Sequence, residues 1–153
     1  MFSRRIVSRA GVGLGAFVLA GVPVAAYAAA PAHTPKAQAS CSNKGCDGMD
    51  PQATGCSQTF QARTIRSAVV MKNGEEIGLV ELRWSPFCGN NWARVTSWVG
   101  TAALTATATR SDDAERSASR TGSVLWTPMI FGRDLCVSAT GTVNGVRATT
   151  QCA

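Results

Sequence analysis

Beyond Cys56, hydrophobic and polar residues alternate in short runs, and turn residues separate those runs. Leu104, Ala106 and Ala108 alternate with Thr105, Thr107 and Thr109, so a strand here has one apolar and one hydroxyl-bearing face. Residues 60–71 and 77–84 form two apolar runs about Lys72-Asn73-Gly74-Glu75, and Asn-Gly between such runs predicts a hairpin. Strand-like runs follow at 92–99, 101–109, 124–126 and 135–143. The last leads through Asn144-Gly145 into a second hairpin, closed by 146–152. Residues 110–122, RSDDAERSASRTG, are polar and mixed in charge, the pattern of an exposed loop. No stretch carries an amphipathic helical period, and there is no internal repeat. The expectation is an all-β domain, a small disulfide-stapled sandwich or barrel of about seven short strands.

The N-terminal third follows a different pattern. Arg4, Arg5 and Arg9 precede an uncharged stretch at 10–26, and Ala26-Tyr27-Ala28 supplies small residues for cleavage. That layout is a secretory signal peptide over 1–28. Ser3-Arg4-Arg5 also starts like a twin-arginine signal, whereas Val7 and Ser8 fit that motif poorly, so the export route stays open. Residues 29–40, AAPAHTPKAQAS, have no large apolar side chain and are expected to form a flexible arm. The folded body is then 41–153, outside the cell, with no stable membrane insertion after cleavage.

Composition changes meaning once this division is made. The chain has 15 basic and 9 acidic residues, a formal charge of +6. Cleavage removes three arginines and leaves 12 basic against 9 acidic, net +3. A charge that small, spread along the chain, makes no basic stripe, which argues against nucleic acid.

All six cysteines, Cys41, Cys46, Cys56, Cys88, Cys136 and Cys152, follow the cleavage site. An even count in a small exported chain indicates three disulfides. Folding the second hairpin brings Cys136 within one register step of Cys152, so that bridge is expected if a bulge aligns them. The other pairings stay open. Four and nine residues intervene between Cys41, Cys46 and Cys56, unlike the knuckles of zinc sites, and the body has no histidine to complete a set. Neither a metal nor a cofactor is expected.

The only histidine is His33, in the arm. Nucleophilic sites that need an imidazole therefore lack their base in the folded body. A pair of carboxylates is the remaining hydrolytic arrangement, with Asp47, Asp50, Glu81 and Asp134 as candidates. Asp47-Gly48 and Asp50-Pro51 are equally turn signals, and Glu81 alternates with Leu82 as an outward strand residue. A calcium loop beginning at Asn43 fails, because Gly45 and Thr54 fall on ligand positions. No catalytic residue is assigned. The densest stretch, ELRWSPFCGNNWARV at 81–95, sets aromatics among arginines, and Arg83, Trp84, Trp92 and Arg94 are its candidate partner-binding residues. Trp126-Thr127-Pro128-Met129-Ile130 offers a second reading, a rigid protease-inhibitory loop with Met129 filling a pocket, or an edge strand broken by proline.

Three ordered motifs carry a family resemblance. They are Cys41-x4-Cys46-Asp47-Gly48-x-Asp50-Pro51-x2-Thr54-Gly55-Cys56, then Glu81-Leu82-Arg83-Trp84-Ser85-x2-Cys88-x3-Trp92-Ala93-Arg94, then Thr127-Pro128-Met129-Ile130. Together they resemble the secreted actinobacterial family called domain of unknown function 2690, also termed YjfA-like. That label implies no catalytic residue. Small secreted proteins of this type are similar to the adaptors of streptomycete antibacterial umbrella toxin particles. The similarity implies two secreted partners, a lectin-bearing, protease-like subunit and a repeat-containing toxin polypeptide. In it, the arm with Pro31, His33, Pro35 and Lys36 would plug the first partner while the β-domain holds the second. The expected function is thus a secreted noncatalytic adaptor, with an extracellular protease inhibitor or a small carboxylate-dependent cell-wall hydrolase as the alternatives.

Overall fold

The computed structural model describes residues 39–58, 60 and 62–153. The expected signal peptide and the arm residues Pro31, His33, Pro35 and Lys36 lie outside them.

Among the described residues nine strands follow one another: β1 (Arg63–Lys72), β2 (Glu75–Ser85), β3 (Asn90–Ser97), β4 (Ala102–Arg110), β5 (Glu115–Gly122), β6 (Val124–Trp126), β7 (Ile130–Phe131), β8 (Val137–Val143) and β9 (Val146–Thr149). All pairings are antiparallel. One sheet has the order β1-β2-β3-β6 with β7 also on β3, and the other has β5-β4-β8-β9. β2 and β3 pack over β8, and β1 packs over β9, which makes a two-layer sandwich.

Both Asn-Gly pairs form tight hairpin turns. Asn73 and Gly74 have φ of 53° and 89°, and Asn144 and Gly145 have 49° and 81°. Two consecutive positive φ values define the turn whose twist matches that of the flanking strands, and Asn-Gly tolerates them best.

The main core lies between the sheets. Val70, Val80, Leu82, Ala93, Val95 and Leu125 come from the first, and Ala102, Leu104, Ala106, Ala108, Val137, Ala139 and Val143 from the second. The second layer is built largely of alanine, and the sheets approach closely at Gly141. A Cβ there would run into Val95 Cγ2 and stand 3.1 Å from both Val80 Cγ2 and the carbonyl oxygen of Thr105.

One expectation is corrected. Residues 110–122 are not a loop throughout, because β5 pairs with β4 from Ala102↔Gly122 to Thr109↔Glu115. β5 is an edge strand, half-buried only at alternate positions, so the backbone ladder rather than an apolar face holds it. That is why its polar sequence concealed it.

Candidate interaction site

The outer face of the first sheet carries a second, smaller core. Cys46, Cys56, Cys88, Trp92 and Met129 are buried there, with Ala39, Cys41, Ala62 and Trp126 packed around them. Two disulfides run through it, Cys41–Cys46 and Cys56–Cys88. The residue 39–58 segment has little regular structure, only short 3₁₀ turns at Asn43–Cys46 and Cys56–Gln58; Cys41–Cys46 closes a small loop within it, and Cys56–Cys88 ties it to the turn that follows β2.

Polar contacts complete the attachment. Asp50 accepts from the backbone N–H groups of Gln52 and Ala53 at 2.7 and 3.0 Å and from Trp126 Nε1 at 3.0 Å. Burial alone would raise its pKa, yet these three donors hold it below the usual carboxylate value. Asp47 pairs with Arg116 at 3.0 Å. Pro128 breaks the edge between β6 and β7. The freed backbone of Met129 donates to the Met49 carbonyl and accepts from Gly48 N–H, each at 2.8 Å. The proline-broken edge reading therefore describes this segment, and the buried Met129 side chain does not project as a loop tip.

Beside this cap, Glu81 sits under a clamp of cations. Arg94 donates through Nε and Nη2 to its two oxygens at 2.6 and 2.8 Å, and Thr64 Oγ1 donates to Oε1 at 2.5 Å. Arg83 lies 3.9 Å from Oε1, donates to Thr64 Oγ1 at 2.7 Å, and places its guanidinium 6.0 Å from the Trp92 ring centroid. Glu81 lies on the outer face, as its alternation with Leu82 leads one to expect, yet it is only 5% exposed. The physical reason is its neighbours on that face: the side chains of Arg94, Thr64 and Arg83 close over the carboxylate. Burial pushes its pKa up, but the hydrogen bonds from Arg94 and Thr64 and the charges of Arg94 and Arg83 bring it below the ordinary value. Arg83 is pulled down by burial and by the nearby Arg94 charge.

The four candidate partner-binding residues of the body do not form one surface. Register pairs Arg83 with Trp92 and Glu81 with Arg94, so those side chains share the outer face. Trp84, one residue on, pairs with Asn91 and belongs to the opposite face. Trp92 is buried, while Trp84 and Arg94 are half-buried. Among the carboxylates, Asp134 is exposed, Asp47 pairs with Arg116, Asp50 holds a turn, and Glu81 is neutralised by its arginines.

Two exposed apolar groups lie elsewhere. Phe60 and Phe87 are 68% and 50% exposed and meet edge to face, ring centroids 5.4 Å apart with an interplanar angle of 65°. At the other end of β2, Trp98 and Val99 are 47% and 52% exposed. Trp98 N–H donates to the Ile77 carbonyl at 3.0 Å. A cavity of about 340 Å³ there is lined by Lys72, Asn73, Glu75, Ile77, Val99 and Asn144. The signal for the first group was present in the sequence but unused: Phe60 follows Cys56 by four residues and Phe87 precedes Cys88. Their pairing depends on the Cys56–Cys88 bridge, which spacing alone does not reveal.

The family described as protein of unknown function DUF2690 matches residues 44–140, a span that runs from the disulfide cap through most of β8. The chain belongs to the DUF2690 family. No curated protein and no solved structure matches it. The DUF2690 span contains the Glu81 clamp, the Cys56–Cys88 bridge and both exposed apolar groups, so these features belong to the part of the chain that defines membership, whereas Cys41 of the other cap bridge precedes it.

Proposed function

We propose that this DUF2690 protein is exported and works as a noncatalytic interaction module, an adaptor that holds two other exported proteins. The observation that carries the reading is the placement of two exposed apolar groups, Phe60 with Phe87 and Trp98 with Val99, at opposite ends of β2. Scattered single apolar residues are ordinary on a surface, whereas aromatics preordered against each other present contact area at little entropic cost. Trp98 bonds to Ile77, and the run of β2 from Ile77 to Ser85 puts roughly 26 Å between the groups, enough to keep two partners apart. The cap disulfides and the Glu81 clamp stiffen the connecting sheet.

The toxin-particle setting implied by the resemblance would supply those partners, a lectin-bearing protease-like subunit and a repeat-containing toxin polypeptide. The arm at 29–40 would assist the Phe60–Phe87 group in holding the first, and the Trp98–Val99 group would hold the second. The test is co-purification of the chain with its partners from the secreted fraction of its native host, repeated with Phe60→Ser/Phe87→Ser and with Trp98→Ser. Each variant is expected to lose one partner and keep the other. Loss of neither would refute the two-surface reading, and turnover of a glycan or peptide substrate abolished by Asp50→Asn would refute the noncatalytic one.

A further inference from the structure

The cap disulfides lie side by side. All four sulfur atoms of Cys41, Cys46, Cys56 and Cys88 lie within 4.8 Å of one another, and across the two bridges Cys56 Sγ stands 3.8 Å from Cys41 Sγ and 3.9 Å from Cys46 Sγ. Two unrelated disulfides need not meet in this way. The arrangement requires the residue 39–58 segment to return to β2 at a single point, and Trp92 and Met129 close that point off with apolar surface.

Tetrahedral zinc bound by four thiolates, with Zn–S near 2.3 Å, sets its sulfurs about 3.8 Å apart. Two of the four cross-bridge distances, those to Cys56 Sγ, already have that value, and those to Cys88 Sγ lie within 4.8 Å. A disulfide-bonded pair would have to part by less than about 2 Å to reach it, a distance that side-chain rotation covers without unfolding the cap. Cys46, Cys56 and Cys88 are buried and Cys41 is half-buried, which leaves one side of the cluster open for entry. Spacing in the sequence points away from zinc, but ligand spacing only stands in for geometry, and here the geometry is explicit.

We propose that the four-cysteine cluster has a second closed state, a tetrathiolate site for a soft divalent cation such as zinc, occupied whenever the chain folds with its thiols reduced. Each bridge accepts two electrons and two protons from a thiol reductant, which leaves as its own disulfide. The four thiols then release four protons as one Zn²⁺ binds. A disulfide oxidant reverses the exchange: two of its molecules take up four electrons, with four protons from solvent, and leave as thiols, the metal is expelled, and Cys41–Cys46 and Cys56–Cys88 re-form. The cap thus stays joined to the sheet in either redox compartment. Cys136–Cys152 takes no part.

The test reduces the full chain with a phosphine, adds one equivalent of Zn²⁺, labels with iodoacetamide and maps the modified cysteines by mass spectrometry. Zinc is expected to slow alkylation of Cys41, Cys46, Cys56 and Cys88 by at least ~10-fold while Cys136 and Cys152 label as before. In parallel, Co²⁺ should give the charge-transfer and visible bands of a tetrahedral thiolate complex at one metal per chain. Those bands should persist in Cys136→Ala/Cys152→Ala and vanish when Cys41, Cys46, Cys56 and Cys88 are all replaced by alanine. Equal labelling of all six cysteines with and without zinc would overturn the proposal. So would cobalt bands that survive that fourfold replacement.

Discussion

At the scale of single residues, Glu81 is the group on which the outer face depends. Its carboxylate neutralises Arg94 and lies 3.9 Å from Arg83, and removing it leaves cationic groups with less compensation for lost water. Glu81→Gln is expected to cost about 2–4 kcal/mol at neutral pH, measured by denaturant unfolding. The pH dependence follows from the depressed pKa. The contribution is complete above the ordinary glutamate value and is lost as pH falls through the lower value of the folded state. Wild type and variant should therefore differ near neutrality and converge in acid, and a stability difference independent of pH would contradict the clamp.

At the scale of elements, two features separate what the sequence discloses from what only packing decides. The first is Gly141 in β8, where a methyl group would meet Val95 across the sandwich. Gly141→Ala should destabilise by about 1–3 kcal/mol through overpacking, although alanine suits a strand at least as well as glycine does. The second is β5. Hydrogen exchange should protect alternate amides of Glu115–Gly122, those facing β4, while the others exchange quickly. Uniformly fast exchange would restore the loop reading. The Asn-Gly hairpins and the apolar alternation of β4 were legible because turn chemistry and side-chain period are local properties. β5 was not, since an edge strand can be held by backbone hydrogen bonds that polar side chains do not report. The outer-face cluster was half legible: 81–95 held the residues, but alternation sends Trp84 to the other face, and only packing shows why Trp92 is buried under the cap and Glu81 under Arg94, Thr64 and Arg83.

The C-terminal bridge illustrates the same limit. The register fixed by Thr140↔Thr149, continued unbroken, would put Cys136 and Cys152 on opposite faces. Val137 and Ala153 instead exchange both backbone hydrogen bonds at 3.0 Å, a one-residue shift that brings the two cysteines to one face with Cα atoms 5.5 Å apart. The need for a bulge could be read from the hairpin; its position could not.

At the scale of the whole molecule, the disulfides turn a small sandwich and an irregular N-terminal segment into one body. Cys56–Cys88 spans 32 residues, and Cys56→Ala/Cys88→Ala should lower stability by about 3–4 kcal/mol by releasing the unfolded chain. It should also separate Phe60 from Phe87 and so weaken the partner held there, linking stability to binding through a single bond. Trp98 and Val99, at the far end of β2, should keep their partner. Among the described residues no helix is long and apolar enough to cross a membrane. The central claim is that this fold presents two independent surfaces. The most direct measurement is partner recovery from the native secreted fraction by wild type, Phe60→Ser/Phe87→Ser and Trp98→Ser, with circular dichroism confirming that each variant is folded. The account predicts two partners with wild type and a different single partner with each variant; identical recovery by all three folded proteins would contradict it.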